Sequence, residues 1–224
     1  MATVQEVLVS SRNEGKLAEF GALLADLSIA IVSAAERDIP TVEETGDTLA
    51  ENALLKAAAA YRVTKGICIA DDSGLFVDAL DGAPGVYSAR FAGENVTYED
   101  NNTELLRRLE GVENDGRKAA FVSVMALLVP AEFLRNIHPL PTGSAFGLEP
   151  PHGAALFVVE GRIEGRITKE VRGRDGFGYD PLFYVPESGK TFAEMSSSEK
   201  NAISHRSRAL SGLRNQLELL RYWD

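Results

Sequence analysis

Apolar positions along this chain recur with two different periods, and the changes of period divide it into alternating strands and helices. Val4-Gln5-Glu6-Val7-Leu8-Val9-Ser10 reads as a first strand. Ser11 and Glu14 have capping-box spacing, and Leu17, Phe20, Leu24 and Leu27 form an apolar stripe at helical spacing behind them. Residues 29–33 read as a second strand. A polar loop, Thr41-Val42-Glu43-Glu44-Thr45-Gly46, follows Pro40, and Thr48 with Glu51 heads another helix that continues through an alanine run to about Val63. Thr48, Asn52 and Lys56 recur every four residues on one polar face of that helix, which read alone is a solvated face.

Ile67-Cys68-Ile69-Ala70 then reads as a buried strand running directly into Asp71-Asp72-Ser73-Gly74. Successive strand residues point to opposite faces, so both carboxylates serve one cleft only if the chain turns there. A turn is expected, with Leu75-Phe76-Val77 as a separate short strand and Asp81-Gly82-Ala83-Pro84-Gly85 as turn chemistry. Such a junction is also what an ordinary aspartate cap relieved by a glycine looks like.

Residues 101–109 look helical. Residues 119–129 and 155–168 look like long strands, the latter crossing a turn at Gly161-Arg162. Between them, residues 130–153 read as a proline- and glycine-rich loop insertion carrying His138 and His152 without metal-ligand spacing. Ser196 with Glu199 caps a short helix containing Lys200. Ser204-His205-Arg206 opens the last helix, with the stripe Leu210, Leu213, Leu217 and Leu220. No repeat or linker interrupts this interleaving, so the expected class is α/β, a mixed sheet flanked by helices, with residues 1–224 as a single domain.

Charge narrows the partners. The formal net charge is −10, so bulk electrostatics oppose nucleic acid and anionic membranes, and a polyanionic ligand needs local positive charge or a metal. The one cysteine, Cys68, sits in an apolar strand, which suits a structural thiol in a reducing compartment. Residues 4–9 are too short for a signal peptide, and no apolar run approaches the ~18 residues of a membrane span, so a cytoplasmic location is expected.

Three features carry chemistry. At Ser11-Arg12-Asn13-Glu14-Gly15-Lys16 a helix N-terminus and a lysine converge, a setting that favours phosphate, although the glycine spacing is not that of a Walker A loop. Glu43, Glu44, Asp71 and Asp72 are oxygen ligands without nearby His or Cys, which favours Mg2+ or Mn2+ over zinc. Lys200, His205 and Arg206, with Phe177 and Tyr179, suit a flat heterocycle with carbonyl acceptors. Together they describe a nucleoside polyphosphate ligand.

Ser11-Arg12-Asn13-Glu14-Gly15-Lys16, Glu43-Glu44-Thr45-Gly46, Glu51-Asn52-Ala53, Ala70-Asp71-Asp72-Ser73-Gly74-Leu75, Gly82-Ala83-Pro84-Gly85, Phe177-Gly178-Tyr179-Asp180-Pro181 and Glu199-Lys200-Asn201-Ala202-Ile203-Ser204-His205-Arg206 occur in that order. In them the chain resembles the inosine/xanthosine triphosphate pyrophosphatase (Ham1-like) family, from the first strand to the last helix and excepting the region around 130–153. The resemblance implies an elongated mixed sheet in two lobes with a central cleft, a homodimer, and Mg2+-dependent hydrolysis of ITP, dITP or XTP to monophosphate and pyrophosphate. By matching positions, Ser11, Arg12, Asn13, Glu14, Gly15, Lys16 and Lys56 would hold phosphate. Asp72 would be general base and metal ligand, with Glu43 or Glu44 as a second ligand. Ser73, Phe177, Gly178, Tyr179, Asp180, Lys200, His205 and Arg206 would line the nucleotide and base pocket. The family's first loop usually reads Thr-Gly-Asn; Ser11 keeps the hydroxyl, while Arg12 replaces a flexible glycine with a charge. Rival readings are a pyrophosphatase for methylated pyrimidine nucleotides and a nucleotide-binding regulator without hydrolysis.

Overall fold

The computed structural model describes residues 6–27, 29–134 and 146–219. Residues 135–145 of the expected insertion, His138 included, lie outside the described residues, as do Val4, Gln5 and Leu220. The first strand, β1 (Glu6–Val9), leads to helix α1 (Glu14–Leu24) and β2 (Ala30–Ser33). Helix α2 (Leu49–Thr64) starts at the expected Thr48/Glu51 capping box and feeds β3 (Ile67–Val77). Helix α3 (Tyr98–Arg108), β4 (Lys118–Pro130) and β5 (Ala154–Ile167) follow, then the short strands β6 (Phe183–Val185) and β7 (Lys190–Thr191). The chain ends in α4 (Ser197–Ile203), capped by Ser196 with Glu199 as expected, and α5 (His205–Leu219).

These strands form one open, seven-stranded mixed sheet in the order β2-β1-β3-β4-β5-β6-β7. β1 pairs in parallel with both β2 and β3, and β5-β6-β7 pair antiparallel. Every residue of β4 after Lys118 is buried, as expected of a central strand covered on both faces.

Several local expectations are corrected. α1 is capped by Asn13, whose side chain accepts from the Lys16 amide, and not by Ser11 with Glu14; Asn13 satisfies the orphan donor from the position directly before the helix. α3 begins three residues before residue 101, because Thr97 and Asp100 form a capping box ahead of it. β5 runs straight through Gly161-Arg162 without a turn. β6 and β7, of three and two residues, were not expected at all; a period cannot be read from so few positions. The largest correction concerns β3. No turn separates Ala70 from Leu75; the strand continues through Asp71-Asp72-Ser73-Gly74 for eleven residues.

The chain packs as two compact units, one of Met1–Asp72, Val124–Gly161 and Arg208–Asp224, the other of Ser73–Ser123 and Arg162–Ser207. In the first, Val7 and Val9 of β1, Ile67 and Ile69 of β3, and Met125 and Leu127 of β4 meet Phe20 and Leu24 of α1 and Leu210, Leu213 and Leu217 of α5. Each such aliphatic side chain contributes about 1.5–3 kcal/mol when withdrawn from water. Even-numbered β3 residues face the other way, where the Cys68 thiol lies 3.3 Å from the Thr64 hydroxyl of α2. Burial raises that thiol to about 11, which fits an inert structural cysteine.

The second unit packs Leu75 and Val77 of β3 against Leu105 and Leu109, with Phe121, Ile163, Phe183 and Phe192. Buried Arg117 staples it: the guanidinium donates to the carbonyls of Leu109 and Ile167, each at 2.8 Å, and to Thr168 at 2.8 Å. It thereby satisfies a carbonyl at the C-terminal end of α3 while holding the end of β5.

Candidate active site

Because β3 does not turn, Asp71 and Asp72 point to opposite faces of the sheet, and each meets a different helix. Asp71 faces α1, where its carboxylate pairs with Lys16 at 3.0 Å. Asp72 faces α2, where Lys56 Nζ approaches Oδ1 at 2.9 Å and Asn52 Nδ2 donates to Oδ2 at 3.3 Å. The parallel β1-β3 pairing sets this height, because Val9 lies opposite Ile69 and the Ser10 amide donates to the Ile69 carbonyl at 2.8 Å. The first loop therefore leaves the sheet beside the two aspartates.

Lys56 is shared. Its ammonium also pairs with Glu44 Oε1 at 2.7 Å. Glu44, not Glu43, is thus the loop carboxylate brought to Asp72, while Glu43 is exposed. The polar face of α2 is not the solvated face that its spacing suggested: Asn52 is fully buried and the Lys56 side chain is only 14% exposed. Burial lowers the affinity of Lys56 for its proton, but the charges of Asp72, Glu44 and Asp71 together outweigh it, so its pKa is raised. Asp72 is also raised, chiefly by burial with Glu44 adding, against the pull of Lys56 and Lys16. A carboxyl shifted in that direction is a better proton acceptor.

Around the first loop, Ser11 Oγ accepts from the Asn13 amide at 3.2 Å. Arg12 is exposed and turns its guanidinium to the Ile39 carbonyl at 2.7 Å, toward the segment before α2. Glu14 is exposed on the first turn of α1, and Gly15 is half-buried beside it.

The remaining expected residues gather in the second unit. Lys200 Nζ donates to Asp180 Oδ2 at 2.6 Å, both side chains being buried. The same nitrogen sits 4.8 Å from the Phe177 ring centre and 5.4 Å from that of Phe192. Asp180 also accepts from the Phe177 amide at 2.9 Å, which fixes the loop on which Phe177 rides. Gly176 has φ +77, and a Cβ there would strike the Asp180 carboxylate, so this tight loop requires glycine.

Arg206, 1% exposed, donates to Ser73 Oγ at 3.3 Å, and its guanidinium lies 5.8 Å from the Phe177 ring. His205 stacks on Phe121 with ring centres 4.7 Å apart. Tyr179 turns away from this group into the unit's core, where its hydroxyl donates to the Ser88 carbonyl at 2.8 Å and burial raises its pKa strongly. Gly178 presents its carbonyl to Asn102 Nδ2 at 3.0 Å.

The Ham1 family's sequence model matches residues 7–216, nearly the whole chain. The chain belongs to the Ham1 family. It is 45% identical over 216 residues to the dITP/XTP pyrophosphatase of Geobacillus kaustophilus, covering 96% of this chain and 95% of that one. It is 43% identical over 214 residues to the dITP/XTP pyrophosphatase of Salmonella typhimurium, covering 96% and 98%. Among solved structures, a HAM1 protein from Coxiella burnetii superposes with a TM-score of 0.78 at 41% identity, over 96% of this chain and 98% of that one. The Ham1 protein of Staphylococcus aureus gives 0.75 at 38% identity, with the same coverage. The Ham1 fold, an open mixed sheet flanked by helices, is thus the one expected from the resemblance.

Two parts of these groups escaped the sequence reading of this Ham1 chain. Asn52 was seen as a polar residue on a helix face and as part of the Glu51-Asn52-Ala53 motif, with no role assigned; its seat beside Gly46 and Asp72 needed the fold. Phe121 and Phe192, which flank His205 and Lys200, lie in β4 and in a short 3-10 turn behind a Thr191/Glu194 capping box that the sequence reading passed over. Among the described residues no group of three or more His, Cys, Asp or Glu side chains could hold a metal ion. Glu44 and Asp72 offer two carboxylates, and Mg2+ is commonly bound by one or two carboxylates completed by substrate phosphates and water. The donor set fits that ion. Among the described residues, no helix is long and apolar enough to cross a membrane.

Proposed function

We propose that this chain is a nucleoside-triphosphate pyrophosphatase that hydrolyses deaminated purine nucleotides, dITP, XTP and ITP, to monophosphate and pyrophosphate with Mg2+. The observation that carries the reading is the shared lysine: Lys56 holds Asp72 and Glu44 together on one face of β3, while Lys16 holds Asp71 on the other. The family membership and the names of its curated relatives support it.

Release of pyrophosphate requires water to add across the α–β anhydride, breaking that P–O bond and giving up a proton. Asp72 takes that proton; its burial favours the neutral carboxyl that results. Mg2+, held by Glu44 and Asp72, would neutralise phosphate charge and acidify water. Lys16, beside the N-terminus of α1, and Lys56 offer ammonium charge to the pyrophosphate as it leaves. In the second unit Phe177 offers a ring face to a base. Lys200 and Arg206 are donors, which match the 6-oxo group of hypoxanthine or xanthine and oppose the 6-amino group of adenine.

The test is a panel of dITP, XTP, ITP, GTP, dATP and ATP with Mg2+, with pyrophosphate and monophosphate quantified. The expected result is equimolar pyrophosphate and monophosphate, with ITP preferred over ATP by at least about tenfold in kcat/KM, as one or two mismatched buried donors would produce. Orthophosphate as product, or no hydrolysis of any member, overturns the proposal. ITP and ATP within about threefold of one another would remove the assigned base discrimination.

A further inference from the structure

We infer that Asn52 is the positioning residue that aligns the two carboxylates of the proposed cation site, an inference that rests on the pyrophosphatase reading. Its amide bonds on both sides. Oδ1 accepts from the Gly46 amide at 2.8 Å, and Nδ2 donates to Asp72 Oδ2 at 3.3 Å. The side chain is 0% exposed, so neither bond can be exchanged for water. Gly46 lies two residues beyond Glu44, and the bond to its amide sets the height of the loop that carries this carboxylate.

Asp72 is held at both oxygens from one helix face: Lys56 takes Oδ1 and Asn52, one turn earlier, takes Oδ2. Two anchors fix the carboxylate plane, which one would leave free to rotate. The chemistry of the second anchor matters. A neutral amide orients Asp72 without cancelling its charge, whereas a second lysine or arginine there would cancel the charge a cation needs. The loop has adapted to this amide as well. A Cβ on Gly46 would come within 2.8 Å of Asn52 Oδ1 and 2.6 Å of Glu51 Cβ, so the close approach requires glycine.

The experiment uses the full chain as wild type, Asn52→Leu and Gly46→Ala. Asn52→Leu keeps the volume and removes both bonds; Gly46→Ala displaces the loop while leaving Asn52 in place. Mn2+ binding to the metal-free protein is titrated by electron paramagnetic resonance, kcat and KM for dITP are measured with Mg2+, and folding is followed by circular dichroism. Both variants should weaken Mn2+ binding and lower kcat by about 10- to 100-fold, the range typical of lost support behind a metal ligand, with KM within about threefold of wild type. A role confined to stability would lower the melting temperature and leave Mn2+ affinity and kcat of the folded protein unchanged; that result overturns the inference.

Should Asn52→Leu fail to fold, Gly46→Ala decides by the same two readings. A wild type that hydrolyses no nucleotide of the panel defeats the pyrophosphatase reading, and the Mn2+ titrations then decide the positioning role by themselves. A wild type that binds no Mn2+ defeats the positioning role outright.

Discussion

Lys56 and Lys200 each hold a carboxylate within 3 Å, yet they do so in opposite surroundings. Lys56 stands between Asp72 and Glu44, and with Lys16 and Asp71 nearby the first unit gathers three carboxylates around two ammonium groups. Glu44 stays 27% exposed, and the group as a whole remains acidic. Lys200 pairs with the Asp180 carboxylate, and the rings of Phe177 and Phe192 flank it. Lys200 is 7% exposed and Asp180 4%, and the pair is neutral. An acidic, partly hydrated cluster is suited to taking up a cation and a charged phosphate chain. A dry, neutral pair under an aromatic ring is suited to a flat, uncharged base. Charge balance and water access, rather than residue type, separate the two groups.

The sharpest way to break this comparison is Asp72→Asn. It removes the proposed proton acceptor and preserves shape, so turnover should fall about 10²- to 10⁴-fold while circular dichroism stays that of wild type. Turnover within a few-fold of wild type would take the reaction away from the first unit.

In the second unit the equivalent change should strike stability. Lys200→Met leaves the Asp180 carboxylate buried without its ammonium partner, which costs on the order of 3–5 kcal/mol in urea unfolding. Adding Asp180→Leu should recover much of that loss. A Lys200→Met protein as stable as wild type would mean that water reaches this pair as it reaches Glu44.

Lys56→Ala should reduce kcat/KM for dITP about ten- to hundredfold, the loss of one charge-assisted contact of roughly 1.5–3 kcal/mol. Wild-type kinetics would make Lys56 only a spacer between two acids. The smallest effect is expected at Phe177→Leu. Removing the ring above Lys200 should lower stability by about 0.5–2 kcal/mol, seen as a modest drop in melting temperature. An unchanged melting temperature would show that Phe192 alone supplies the aromatic surroundings of Lys200.

What the sequence determined by itself was what short-range forces determine. Thr48 with Glu51 and Ser196 with Glu199 mark helix starts because a cap and its partner lie three residues apart. The stripe Phe20, Leu24 and Leu27 and the apolar run of β4 announce buried faces because periodicity is local. Family membership was legible for a related reason: seven short motifs recur in order, whatever their spatial arrangement.

Tertiary structure decided the rest. Whether the chain turned at Asp71-Asp72 depended on the sheet neighbours of β3, β1 beside its first residues and β4 on its other edge, which no octapeptide encodes. Once the strand ran through, its alternation sent Asp71 to Lys16 and Asp72 to Lys56. The choice of Glu44 over Glu43, the burial of Asn52 and the inward turn of Tyr179 likewise rest on partners far along the chain. Lys56 and Glu44 are 12 residues apart, Lys200 and Asp180 are 20, and Arg206 and Ser73 are 133. An ion pair's strength depends on distance and on the water around it, and both are set by packing that brings together residues no local pattern connects.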